Sequence, residues 1–94
     1  MIGYGGNMKT MIYVCCNSRC VDHAAHEIAA DYGFSKWDRC SRIMTIGDTL
    51  QIRFILQDEI MERLRGVQIN GYEECDCVIL TEEQRAFLMH LTRK

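Results

Sequence analysis

The chain has 94 residues, 48% of them hydrophobic, and a net charge of −2 with both signs mixed along its length. That length fits one small domain, which buries roughly 60–65% of the surface of its unfolded chain. The mixed charge excludes a polybasic nucleic-acid arm and an acidic nucleic-acid mimic, and no apolar run approaches the roughly 18 residues of a membrane span.

Residues 1–8 hold Gly3, Gly5 and Gly6 and little to bury. They read as a flexible tail, leaving 9–94 as a single α/β domain. The start lacks the charged and apolar regions of an export signal. A cytoplasmic location is therefore expected, with the six cysteines as free thiols. Proline is absent, so chain reversals must rest on Gly33, Gly47-Asp48, Gly66 and Asn70-Gly71.

Thr10 to Cys16 is a continuous apolar run, the pattern of a central strand covered on both faces. Asn17 or Ser18 then caps a helix. Its apolar face is Val21, Ala24, Ala25, Ile28, Ala29 and Tyr32, with alanines permitting close approach to a sheet, and Gly33 stops it. Asp22, His23, His26, Glu27 and Asp31 fall on the wet side, with His23–Glu27 and Asp22–His26 paired one turn apart. Phe34 to Asp38 reads as a connector that holds the single tryptophan, Trp37. Cys40–Ile46 and Thr49–Leu56 read as strands joined by a two-residue Gly47-Asp48 hairpin of type II′.

Asp58 to Arg65 predicts a short helix with Ile60, Met61 and Leu64 inward. Val67–Ile69 is a short strand candidate, and Cys75–Leu80 reads as a second buried strand. Thr81 and Gln84 form a capping box for a last helix that buries Phe87, Leu88 and Leu91. Glu82 and Glu83 at its start, with Arg93 and Lys94 at its end, suit the helix dipole.

The sites are sparse. Gly3 to Thr10 nearly matches the phosphate-loop pattern G-x-x-x-x-G-K-[ST], with Met8 in place of the second glycine. It precedes a strand instead of following one, so it is not read as a phosphate site. Cys16-x-x-x-Cys20 with Cys75-x-Cys77 has the ligand types of a zinc site. If the Cys15 strand and the Cys77 strand are parallel neighbours, however, the two pairs fall at opposite sheet edges, about 15 Å apart. The cysteines are then small apolar residues. No C-x-x-C redox pair occurs, and no nucleophile stands beside a base in any recognisable motif. Asn17, Ser18 and Arg19 are the best-placed polar group, because a strand-to-helix turn can offer amides and a guanidinium to a phosphate or carboxylate.

Ile12 to Arg19, followed by the alanine-rich helix to Tyr32, resembles the opening of the second RecA-like domain of superfamily-two helicases. There a hydrophobic strand ends in an Asn-Ser-Arg-type turn. Leu64 to Leu80 is similar to their segment in which Arg-Gly precedes a strand. Large terminases of tailed phages carry a comparable arrangement, and small phage reading frames with this order of strand, helix, tryptophan, Arg-Gly and strand look alike. Gln68 stands where the helicases place an aspartate, and no arginine-rich motif follows the last strand. The resemblance therefore implies a cut-down P-loop-like scaffold without ATPase activity, and it nominates Arg65, Gly66 and the Asn17–Arg19 turn for contacts.

The expected fold is a small layered α/β domain of about four strands, mixed or parallel, and about three helices. The expected function is that of a non-enzymatic binding protein, a phage accessory protein docking on a host protein or nucleoprotein complex and modulating it in the host cytoplasm. Its partner- or phosphate-binding residues are Asn17, Ser18, Arg19, Trp37, Arg65 and Gly66. A nucleotide or nucleic-acid binding module is the alternative, and a small zinc protein the third reading. No catalytic residue, metal ligand or cofactor is assigned. A protein partner is expected, nucleic acid stands second, and self-association would help so small a domain; no membrane is involved.

Overall fold

A computed structural model describes residues 8–33 and 35–92. In chain order the elements are β1 (Lys9–Cys15), α1 (Ser18–Tyr32), β2 (Lys36–Asp38), β3 (Ile43–Ile46), β4 (Leu50–Leu56), a 3-10 turn (Gln57–Glu59) leading into α2 (Ile60–Arg63), β5 (Gly71–Glu74) and α3 (Glu82–Leu91). The five strands form one sheet in the order β2-β3-β4-β1-β5. β1 runs parallel to both β4 and β5, whereas β2, β3 and β4 are joined antiparallel. The mixed α/β fold expected from the sequence is the one observed, with one strand more.

The alternation of β1 divides the interior. Ile12 and Val14 point to one face, where they pack with Ile55, Ile60, Leu64, Ile69, Val78, Leu80 and Leu88. Cys15 points to the other, with Val21, Ala24 and Ala25 of α1 and with Met44, Ile52 and Phe54. Successive side chains of a strand face opposite ways, so the sheet is a middle layer between α1 and the α2–α3 layer. Three aromatic side chains meet on the α1 side, where Trp37 lies edge-on to Phe54 at 5.3 Å and Tyr13 is 5.5 Å from Phe54, while Tyr72 and Phe87 pack on the other face.

α1 follows its predicted signals closely. The Asn17 side chain accepts from the Cys20 amide at 2.9 Å, and Gly33 closes the helix at φ 76°. A positive φ there is one that an L side chain adopts only at a cost. Tyr32 departs from the expected apolar face and is 53% exposed. α3 carries the expected capping box, with Thr81 and Gln84 bonding each other's backbone. The dipole partners proposed at Arg93 and Lys94, and the near phosphate loop before Met8, lie outside the described residues.

Four expectations are corrected. The connector around Trp37 contains the edge strand β2. Ile46 pairs with Leu50, so the β3–β4 hairpin has three loop residues, 47 to 49, instead of two. Val67–Ile69 is not a strand; Ile69 makes an isolated bridge with Thr92 at the end of α3. Most consequentially, Cys75–Leu80 is not a strand either, and the segment paired with β1 is Gly71–Glu74. An edge strand is covered by one neighbour only, so polar Glu73 and Glu74 can occupy it while the apolar Val78 and Leu80 are buried from a non-strand segment. Gly71 fits this position because a Cβ there would stand 3.1 Å from Met11 Cε. Among the described residues, no helix is long and apolar enough to cross a membrane.

Candidate metal centre

The shifted strand relocates the cysteines. β1 and β5 are parallel and end at Cys15 and Glu74, so Cys16 and Cys75 both emerge at the carboxyl edge of the sheet. The Cys75 amide donates to the Val14 carbonyl at 2.9 Å, holding the two chain ends side by side. Cys20 arrives from the first turn of α1, and Cys77 from the turn after Cys75. The expectation of two pairs at opposite edges failed because the pairing segment lies four residues earlier than its apolar pattern suggests.

Four sulfurs therefore converge. Cys16 and Cys77 are disulfide-bonded, with a Cα separation of 6.2 Å across 61 residues of sequence. This replaces the expectation that all six cysteines are free. Cys20 Sγ stands 3.1 Å from Cys75 Sγ and 3.5 Å from Cys77 Sγ. The sulfurs of Cys16, Cys20 and Cys77 all lie within 4.8 Å of one another. Cys16 and Cys77 are exposed, whereas Cys20 and Cys75 are half-buried.

The neighbouring thiols affect one another. Burial opposes ionisation of Cys20, but hydrogen bonds from the Cys75 side chain, the Cys16 backbone and the Cys15 side chain outweigh it and hold its thiol below the ordinary range. Cys75 receives hydrogen bonding from the Cys77 backbone that lowers its pKa, yet its contact with Cys20 and its burial carry it upward on balance. Cys15 is fully buried, and desolvation followed by its hydrogen bond to Cys20 drives its thiol strongly upward. It is an apolar core residue beside the cluster. Cys40 is remote and exposed, in a turn where Asp38 Oδ1 accepts from the Cys40 and Ser41 amides at 3.0 and 3.3 Å.

Tetrahedral coordination at a Zn–S distance of about 2.3 Å separates ligand sulfurs by about 3.8 Å. In the reduced chain, the Cys16 and Cys77 sulfurs would have to part and the 3.1 Å Cys20–Cys75 contact would have to widen. Cys16 and Cys77 sit in a bend and a turn outside the β ladders, where side-chain rotation can supply that change without disturbing the sheet. Sulfur-only donors suit zinc or iron and disfavour magnesium or calcium.

The residues singled out for partner or phosphate contacts are dispersed. Asn17, Ser18 and Arg19 border one shallow surface cavity with Asp22. Trp37 lines a neighbouring one, with Asp22, His26 and Arg39 around it. Asp22 pairs with Arg39 at 3.3 Å, not with His26, while His23 does pair with Glu27 at 3.5 Å. Arg65 and Gly66 lead instead to Asn70, whose amide donates to Thr10 at the opposite end of β1. Seven residues of strand, about 20 Å, separate the two ends. The Asn17–Arg19 turn and Gly66 border different cavities, the latter with Gln68, His90 and Thr92. The cysteine spacing was visible in the sequence, but its convergence depended on the strand boundary, which no local pattern revealed. Comparison of the chain with protein-family models, with curated proteins and with solved structures finds no match.

Proposed function

We propose that the chain is a small zinc-binding module in which Cys16, Cys20, Cys75 and Cys77, as reduced thiolates, hold one ion. The gathering of four cysteines from two separate chain segments at one sheet edge carries this reading: the sulfurs of Cys16, Cys20 and Cys77 lie within 4.8 Å of one another, and Cys75 Sγ joins them through its 3.1 Å contact with Cys20. A set of four protein thiolates closes the coordination sphere, which is the arrangement of structural zinc and leaves no position for a reacting substrate. The module accordingly acts by binding and presenting a surface, not by turnover. The ion joins the β1–α1 turn to the segment that follows β5, and so fixes the entry to the stretch that buries Val78 and Leu80.

Metal analysis of protein purified under reducing conditions from zinc-supplemented cells tests this directly. About one zinc per chain is expected, and the Cys40→Ser variant should keep it. Less than a tenth of an equivalent of zinc, or iron in its place, would sink the reading. Cobalt substitution gives a second measurement, because four thiolates around cobalt produce intense sulfur-to-metal absorption that a site of mixed ligands weakens.

Docking of the module on a macromolecule remains our proposal for what the binding serves. The alternative of a nucleotide or nucleic-acid site has less support, because the Asn17–Arg19 turn and Gly66 border different cavities. Steep loss of DNA affinity with rising salt would restore it.

A further inference from the structure

We propose that this zinc site is gated by oxidation, with the Cys16–Cys77 disulfide as its zinc-free state. The inference rests on the metal-site reading. A sulfur in a disulfide has no thiolate lone pair to give the ion, so the bond between Cys16 and Cys77 and a four-thiolate zinc site exclude each other. The same fold accommodates both. The Cα separation of 6.2 Å lies inside the ordinary disulfide range, and the two residues flank the ladder instead of belonging to it.

The choice of pair follows from position. Cys16 and Cys77 are the two exposed members of the cluster, open to a dissolved oxidant, whereas Cys20 and Cys75 are half-buried. Their closure leaves Cys20 and Cys75 as thiols 3.1 Å apart, a pair too poor in ligands to retain zinc against a chelator.

The oxidant is hydrogen peroxide. One thiolate of the exposed pair attacks a peroxide oxygen; the O–O bond breaks, hydroxide leaves, and the sulfur becomes a sulfenic acid. The second thiolate attacks that sulfur, forming the S–S bond and expelling another hydroxide. The two sulfurs together give up two electrons, and the peroxide takes them. Two protons from solvent convert both hydroxides to water, two more return Cys20 and Cys75 to thiols, and the zinc ion leaves hydrated. A dithiol reductant reverses the sequence by thiol–disulfide exchange.

Fully reduced protein carrying zinc should be titrated with hydrogen peroxide. Released zinc is followed with a chromogenic chelator, and the new disulfide is located by peptide mapping. The expected result is loss of the bound zinc in step with a Cys16–Cys77 cross-linked peptide, and recovery of zinc binding after reduction. The Cys40→Ser variant should respond in the same way. Zinc bound by the reduced protein but retained through oxidation, or released with a different pair joined, overturns the gate and leaves the site intact. Failure of the reduced protein to bind zinc at all overturns the site and the gate together.

Discussion

The two faces of the sheet are built differently. On one side the single 15-residue helix α1 brings its small residues Ala24 and Ala25 into one cluster with Phe54 and the half-buried Trp37. On the other, a four-residue helix, a ten-residue helix and two non-strand segments bring together an aliphatic cluster of Ile, Leu and Val side chains. A long capped helix carries part of its own order in its sequence. Short helices in water are marginal without tertiary packing, so the second face holds together only as an assembled unit. The cysteine cluster spans this difference, because Cys16 and Cys20 belong to the α1 junction and Cys75 and Cys77 lead into the aliphatic side.

This contrast can be broken most forcefully at the clamp. Cross-linking residues 61 apart removes about 4 kcal/mol of chain entropy from the unfolded state. Oxidised wild-type protein should therefore resist denaturant more than Cys77→Ser by up to that amount. Equal midpoints for the two would show that the link does not constrain the unfolded chain. Leu88→Ala comes next, since Leu88 is fully buried in the aliphatic cluster; about 3 kcal/mol should be lost in urea unfolding. Trp37 fluorescence reports on the opposite face. If its transition stays coincident with that of far-UV circular dichroism in this variant, the two faces unfold as one unit; separated transitions would make them independent.

The two helix caps sharpen the comparison at lower energies. Gln84 closes the capping box of α3 and also exchanges hydrogen bonds with Gln57, accepting from Gln57 Nε2 at 3.0 Å and donating to the Gln57 carbonyl at 3.2 Å. Gln84→Ala should cost about 2 kcal/mol, because it removes a cap and a tertiary tie together. Asn17 makes one capping bond, to the Cys20 amide, and Asn17→Ala should cost about 1 kcal/mol. A thermal scan of both variants checks the order, and an Asn17 effect larger than the Gln84 effect would contradict the view that α1 is the more self-sufficient layer.

Legibility in the sequence followed the same division. β1 and α1 were readable, and the β3–β4 pairing in outline though not in its loop length or in the start of β3, because each announces itself within a dozen residues: an apolar run, an asparagine cap, a helical stripe, a glycine. The stretch from Val67 to Leu80 was not. Its most apolar part, Val78 and Leu80, is buried without pairing in the sheet, and the polar Glu73 and Glu74 take the edge position. Hydrophobicity indicates burial, and burial can be reached from a coil as well as from a strand. Trp37 sat in a strand too short for a periodic signal.

The sequence by itself determined that this is a small α/β domain with a capped helix after a buried strand, since those features arise from contacts within a turn or two of chain. It also supplied the sulfur atoms. Only the tertiary structure decided where they meet. The register of Gly71–Glu74 against β1 is a long-range choice, fixed by which side chains the second face can bury, and it carries Cys75 and Cys77 to Cys16 and Cys20. Moving that pairing along the chain by the length of one short strand would send the two cysteine pairs to opposite edges of the sheet.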